Sequence, residues 1–294
     1  MIDAANQLAT ARSSRFPVPP SVYVTSADAS AVKPERVHAL QRVHALQRVP
    51  LPGSRGVAGQ IDPREFAGAS NCRNCATRDL CMPTAMRSQN TVNPISVFGN
   101  HRKVRRGEAV YRAGDAFCNL YVIRAGSSKT VAMHRDGREQ ITGFQIAGDF
   151  LGMEGITSGK HTLDAIALED SVVCVIPFAT LEMLSFGNKD LQRHLHLMMS
   201  REIVRESAHM MLIGCMTAEE RVASFLLGLS KRYRERGYSS MEFQLRMTRE
   251  EIGCYLGLKL ETVSRMFTRL QQRGAVRMKG KQARIVDIDS LERV

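Results

Sequence analysis

Between Ile95 and Pro177, Gly107, Gly114, Gly126, Gly137, Gly143 and Gly148 cut the chain into short runs such as NLYVIRAG and REQITGFQIAGDF. Apolar and polar residues alternate within those runs, and a period of two is the period of a strand with one covered face. Turn residues at this spacing leave no length for helices, so the segment can fold only as a small antiparallel barrel or sandwich. Asp136-Gly137 between two such runs predicts a tight hairpin.

Beyond Leu184 the period becomes helical. Leu191, Leu195, Met199, Ile203 and Met210 line one side of a helix of six or more turns, long enough to pack against a second copy of itself. The last stretch predicts a separate helical domain with a β tail. Thr217-Ala-Glu-Glu220 has capping-box form and opens an amphipathic helix through Val222, Phe225, Leu226 and Leu229. Thr248-Arg-Glu-Glu251 repeats the device before a short helix that stops at Gly257. A second helix, ETVSRMFTRLQQR, follows and ends at Gly274. Two short helices joined across a glycine predict a helix-turn-helix, and AVRMKGKQARIVDI adds two strands as a wing around Lys279-Gly280-Lys281.

Charge assigns this unit a partner. The chain of 294 residues carries 41 Lys+Arg against 29 Asp+Glu, a net +12. Residues 231–284 hold 14 Lys+Arg and 5 Asp+Glu, so about +9 of that lies in one span. Phosphate contacts supply most of the affinity for double-stranded DNA, which makes such concentration a physical requirement. Glu261, Ser264 and Arg265 stand at i, i+3 and i+4 near the start of the second helix and share a face. Arg265 can bond guanine O6 and N7, Glu261 can accept from cytosine N4, and Ser264 can do either. The bland reading of Glu261 and Arg265 is a surface i,i+4 ion pair. Thr248, Arg249, Lys259, Arg269 and Lys279 are candidates for phosphate contacts.

Hydrophobic residues make up 44%, enough for at least one sizeable core, and no run approaches the roughly 20 apolar residues of a membrane span. The opening MIDAANQLATARSSRF has no apolar h-region, so a cytoplasmic protein without membrane association is expected. Seven of the ten prolines precede residue 64 and no period persists there, which predicts a disordered extension over 1–70. Its tandem RVHALQ, Arg36 to Gln47, reads as a duplication without a structural role.

Cys72-Arg-Asn-Cys75-Ala-Thr-Arg-Asp-Leu-Cys81 places three thiolates within ten residues. They can face one metal centre, whose fourth ligand must come from elsewhere among Cys118, Cys174, Cys215 and Cys254. No second C-x2-C and no His pair accompanies them, so the spacing favours a cubane iron-sulfur cluster over zinc, with buried thiols as the alternative.

The order of cysteine run, β-strands, long helix and basic helix-turn-helix resembles the cyclic-AMP receptor protein superfamily, and within it the fumarate-and-nitrate-reduction regulator (FNR) branch. The segments carrying the resemblance are C-x2-C-x5-C-x-P from Cys72 to Pro83, REQITGFQIAGDFLG, DSVVCVIPF, TAEERVASFL, MTREEIGCYLGL and ETVSRMFTRLQQRG. The resemblance implies an α+β fold: a cupin-like antiparallel β-roll within 71–183, a dimerisation helix over 184–214 and a winged helix-turn-helix over 215–294. It makes Cys174 the fourth ligand, with Cys118 as the spare, of a 4Fe-4S cluster that oxygen degrades to a 2Fe-2S form. It further implies a homodimer with Leu195, Met199, Ile203, Glu206 and Met210 at its interface, Glu206 opposing pairing until the cluster is present. Glu261, Ser264 and Arg265 match the E-x-x-S-R pattern that reads TTGAT half-sites, so operators of the form TTGAT-N4-ATCAA are expected. RNA polymerase is an expected partner, and oxygen, or nitric oxide in its place, the expected signal. Two departures from the family are Ala76, where the best-known members carry Ser, and the charges of the hairpin Arg135 to Arg138, where relatives contact RNA polymerase.

Two rivals share the fold: a zinc-stabilised regulator and a cyclic-nucleotide-responsive one. The second needs an Arg for the cyclic phosphate, and GDFLGMEGITSGKHTLDAIA contains none. An iron-sulfur enzyme would need the C-x3-C-x2-C run of radical enzymes or a catalytic grouping, and neither is present; the protein is therefore not read as an enzyme.

Overall fold

The computed structural model describes Cys75, Arg78–Cys81 and residues 100–294, all within the unit Gln60–Val294. The expected extension over 1–70 and its RVHALQ repeat, Cys72 and Ala76 lie outside the described residues.

After the short helix α1 (Arg78–Cys81) come β1 (His101–Val104), β2 (Ala109–Tyr111), β3 (Asn119–Ala125), β4 (Ser127–Met133), β5 (Glu139–Ile146), β6 (Phe150–Leu151), β7 (Asp164–Ala167) and β8 (Ser171–Pro177). They form two four-stranded antiparallel sheets, ordered β1-β8-β3-β6 and β2-β7-β4-β5. The β4–β5 hairpin turns at Asp136-Gly137 as its dipeptide predicts. Strict alternation fails along β3, where Leu120, Tyr121, Val122 and Ile123 are all buried. One face of the strand, with Tyr121 and Ile123, packs into the roll with Val104, Val110, Tyr111 and Val173. The other, with Leu120 and Val122, lies under Leu181 and Leu191 of the helices that follow. A sheet covered on both sides reads as a continuous apolar run.

Those helices are α2 (Phe178–Phe186) and the 27-residue α3 (Lys189–Cys215), which spans about 40 Å. A single helix from 184 is thus corrected to two. The chain breaks at Gly187, and Asn188 restarts it by accepting from the Leu191 N–H. Cys215 is the last residue of α3.

The C-terminal part comprises α4 (Ala218–Glu235), β9 (Glu242–Gln244), α5 (Arg249–Leu256), α6 (Leu260–Gln272), β10 (Val276–Lys279), β11 (Gln282–Ile285) and α7 (Ile288–Glu292). Both capping boxes form as the sequence predicts. Thr217 and Glu220 close the start of α4, Thr248 and Glu251 that of α5. Gly257 ends α5 in the left-handed region at φ 63° and its N–H returns to the Gly253 carbonyl, the αL turn that a Cβ would oppose. Val222, Leu226, Ile252, Leu256, Val263, Phe267 and Leu270 fill the space between α4, α5 and α6, with β9–β11 closing one side.

This part is less separate than its sequence predicts. Val131, Ile141, Phe144 and Leu168 of the roll belong to the same buried cluster, and the Phe144 ring meets Tyr255 at 5.2 Å and Phe225 at 6.1 Å. Polar contacts rim the seam: Lys129 Nζ donates to Glu251 Oε1 at 2.8 Å, and the Ile141 N–H donates to Cys254 Sγ at 3.2 Å.

Candidate DNA-binding surface and thiolate site

The amphipathic α6 buries Val263, Phe267 and Leu270 and turns Glu261, Ser264 and Arg265 outward on one exposed face. Glu261 and Arg265 do not pair with each other or with any other described residue, so the surface-pair reading does not hold and both side chains face solvent. Lys259, the N-cap of α6, and Lys279, at the β10–β11 hairpin, are exposed as well. Thr248 is exposed, but its hydroxyl is engaged in the capping box. The Arg249 guanidinium lies 3.4 Å from the centre of the Phe267 ring and its Nη1 is buried with no hydrogen-bond partner; burial lowers its pKa. Arg269 bonds Glu219 Oε2 at 3.1 Å, and Arg273 reaches the other oxygen at 3.3 Å. Glu219 of α4, itself buried, thereby fixes the far end of α6.

Along α3 the apolar stripe changes partner. Leu191 is buried and Leu195 half-buried against the roll, whereas Met199, Ile203 and Met210 are exposed at 39, 66 and 67% with Glu206 exposed among them. A run of exposed large apolar side chains on a long helix marks an interaction surface.

Of the cysteine run, the structure describes Cys75 and Cys81, both half-buried. Cys81 ends α1 and packs onto Leu120, Val122, Ile176, Leu181 and Leu191, the same buried group that Cys174 of β8 packs against. Two thiols 93 positions apart in sequence thus share one apolar neighbourhood, to which Phe117, Phe150, Met153 and Phe178 also belong. Cys118 and Cys215 are exposed, and Cys254 sits against β5. Among the described residues no three His, Cys, Asp or Glu side chains form a group that could hold a metal ion, and a four-thiolate site needs Cys72, which lies outside them. The donor type and the apolar surroundings fit an iron-sulfur group, whose ligands are thiolates and whose potential depends on exclusion of solvent.

The same short helix touches a junction that sequence reading missed. A Cβ on Gly148 would come within 2.5 Å of Leu80 Cδ1, so α1 lies directly over the β5–β6 turn, where Gly148 adopts φ 90°. The next residue, Asp149, bonds Arg232 of α4 and Arg236, which caps the C-terminal end of that helix, the second at 2.6 Å, and accepts from the Ile146 N–H at 2.8 Å. Burial alone would raise the Asp149 pKa, but the two guanidinium groups outweigh it and hold the carboxyl below its usual range. Arg232 and Arg236 are one helical turn apart, yet nothing local identifies their partner 83 and 87 positions away.

A cavity of about 490 Å³ lies between the roll and α3, with Tyr111, Thr130, Gln145, Glu154, Glu202 and Glu206 in its wall. Its lining contains three carboxylates and no Arg or Lys, so the anionic phosphate of a cyclic nucleotide would find no counter-charge there.

A β-roll joined through a long helix to a winged helix-turn-helix with a basic, outward recognition face defines a DNA-binding transcription regulator. Residues 101–187 match the cyclic nucleotide-binding domain and residues 220–294 the Crp-like helix-turn-helix domain. The chain is 40% identical over 218 residues to the transcriptional activator protein Anr of Pseudomonas protegens, covering 74% of this chain and 89% of that protein. It is 40% identical over 223 residues to the fumarate and nitrate reduction regulatory protein of Escherichia coli, covering 76 and 89%. The solved structure of FixK2 from Bradyrhizobium japonicum superposes with a TM-score of 0.61 at 32% identity, over 66% of this chain and 96% of that one. The chain belongs to the CRP/FNR family of transcription regulators, a family of DNA-binding proteins and not of enzymes. Among the described residues no helix is long and apolar enough to cross a membrane.

Proposed function

We propose that this regulator responds to oxygen through a 4Fe-4S cluster held by Cys72, Cys75, Cys81 and Cys174, and binds TTGAT-N4-ATCAA-like operators as a homodimer when oxygen is absent. The observation that carries the reading is the convergence of Cys81 and Cys174 on one apolar cluster, next to the turn that anchors the DNA-binding part. When bound, the cluster supplies an oxygen-labile switch, intact without oxygen and degraded to a 2Fe-2S form or lost in its presence. The rest follows from the protein's own residues. Cys81 fixes α1, whose Leu80 rests on Gly148, and Asp149 beside it grips Arg232 of α4 and Arg236 at its C-terminal cap. A change in how α1 is held thus bears on the seat of the DNA-binding part, and linkage requires the reverse coupling with equal magnitude. Met199, Ile203 and Met210 supply the dimer contact, and Glu206 among them opposes pairing by bringing two carboxylates together. Dimerisation sets two copies of Glu261, Ser264 and Arg265 one helical turn of DNA apart, while Lys259 and Lys279 bind phosphates, with Thr248, Arg249 and Arg269 nearer the edge of the contact. RNA polymerase is a further partner in this reading; the hairpin Arg135 to Arg138 is exposed but departs in charge from the surface that relatives use for it.

The test is the visible absorption spectrum of protein isolated without oxygen, before and after admitting air, with iron and acid-labile sulfide assayed on the same sample. A brown, sulfide-containing protein that bleaches within minutes and then releases its operator is expected; nitric oxide in place of air tests the other signal. Colourless protein that carries zinc and is unchanged by air would refute the cluster.

A further inference from the structure

The β1–β8 ladder brings a residue to Cys174 that the cysteine spacing does not reveal. His101 is the direct cross-strand partner of Cys174. The Val175 N–H donates to the Asn100 carbonyl at 2.8 Å, which makes His101 and Cys174 a non-hydrogen-bonded antiparallel pair, the kind in which opposed side chains stand closer. Alternation fixes the face. The next residue, Arg102, reaches into the roll, where its Nη2 donates to the Val110 carbonyl at 2.5 Å and its guanidinium stands 6.0 Å from the centre of the Tyr121 ring. Successive side chains of a strand point to opposite faces, so His101 projects to the other side, the face of Leu120, Val122, Cys174 and Cys81. His101 and Cys174 are both half-buried, and directly opposed Cβ atoms lie about 4.5–5.5 Å apart. That separation puts an imidazole within reach of the sulfur.

We propose that His101 is a positioning residue for the cluster, donating an N–H hydrogen bond to the Cys174 sulfur. An imidazole carries an N–H in either protonation state, so the bond needs no proton uptake. A donor on a ligating thiolate withdraws charge from it and raises the reduction potential of the group it holds. The wild-type protein is then harder to oxidise, and slower to lose its cluster in air, than a chain with an apolar residue at this position. The proposal rests on the cluster reading above.

The experiment compares anaerobically purified wild type, His101→Gln, which keeps an N–H donor, and His101→Leu, which keeps bulk without one. Iron and sulfide content, reduction potential and the rate of bleaching in air are measured on each. Equal iron and sulfide in all three are expected. The Leu protein should show a lower potential and bleach about threefold or more faster, as loss of one charge-assisted hydrogen bond requires, while the Gln protein stays near wild type. Equal potentials and bleaching rates across the three would overturn the role of His101 and leave the cluster standing. Failure of both variants to assemble a cluster that wild type contains would also overturn it, because His101 would then be a ligand or a folding requirement. Wild-type protein without iron or sulfide would overturn the cluster reading, and this proposal with it.

Discussion

Replacing Asp149 by Asn removes one charge from the seam between roll and DNA-binding part and leaves the shape nearly unchanged. The Asp149, Arg232 and Arg236 side chains are 12, 21 and 7% exposed, so solvent screens the ion pairs little. Removing one partner of a buried ion pair costs about 3–5 kcal/mol, mostly because the opposite charge is left uncompensated. Here the arginines keep other acceptors. Arg232 still donates to the Phe144 carbonyl at 2.9 Å, and Arg236 to the carbonyls of Ala147 and Arg232. The low end applies, about 3 kcal/mol, roughly a hundredfold in an unfolding equilibrium. Urea unfolding at neutral pH followed by circular dichroism, suited to a chain without Trp, reads the loss as a lowered midpoint. The sign of the pH dependence follows from the shift. The folded carboxyl titrates below the unfolded one, so its stabilisation is complete above the unfolded pKa of about 3.9 and is lost as pH falls through the folded value. The wild-type and Asn proteins should therefore converge in acid. A loss below about 1 kcal/mol at neutral pH, or a difference that stays constant as the pH falls, would refute the argument that this carboxylate fastens the two parts together.

Three further outcomes are expected. Thr248→Ala removes the acceptor for the Glu251 N–H and should cost about 1 kcal/mol of stability, seen as a lower urea midpoint with no change in operator preference. Arg265→Ala should weaken binding to TTGAT-N4-ATCAA by about 1–3 kcal/mol while sparing scrambled DNA, whereas Lys279→Ala should weaken both alike and reduce the salt dependence; equal losses on both DNAs for Arg265→Ala would remove its base-reading role. Glu206→Ala takes a carboxylate out of the exposed apolar stripe of α3 and should give a dimer that persists in air by sedimentation, and an aerobic monomer would count against Glu206 as the brake.

What the sequence carried by itself were interactions that close within a few residues. The capping boxes Thr217/Glu220 and Thr248/Glu251, the turn at Gly257 and the outward face Glu261–Ser264–Arg265 follow from backbone geometry and helical period, and all stand where the spacing puts them. The hairpin at Asp136-Gly137 is of the same kind. Sheet pairing and packing across the fold obey no such local rule. From the residues alone Cys118, Cys174, Cys215 and Cys254 all stood as candidates for a fourth thiolate, with Cys254 read rather as a packed helix residue, and only the covering of β3 and β8 by α1, α2 and α3 puts Cys174 and Cys81 against one buried cluster. Register, fixed by the whole roll, sets His101 opposite Cys174. The basic charge of the span 231–284 was legible, but its use was not: Arg249 stacks on Phe267 and Arg269 is held by Glu219, because those aromatic and acidic partners arrive only when the helices pack. Asp149 was one acidic residue in a turn until folding brought Arg232 and Arg236 to it. Burial then made it a clamp, since a charge removed from water must be met by others fixed in place.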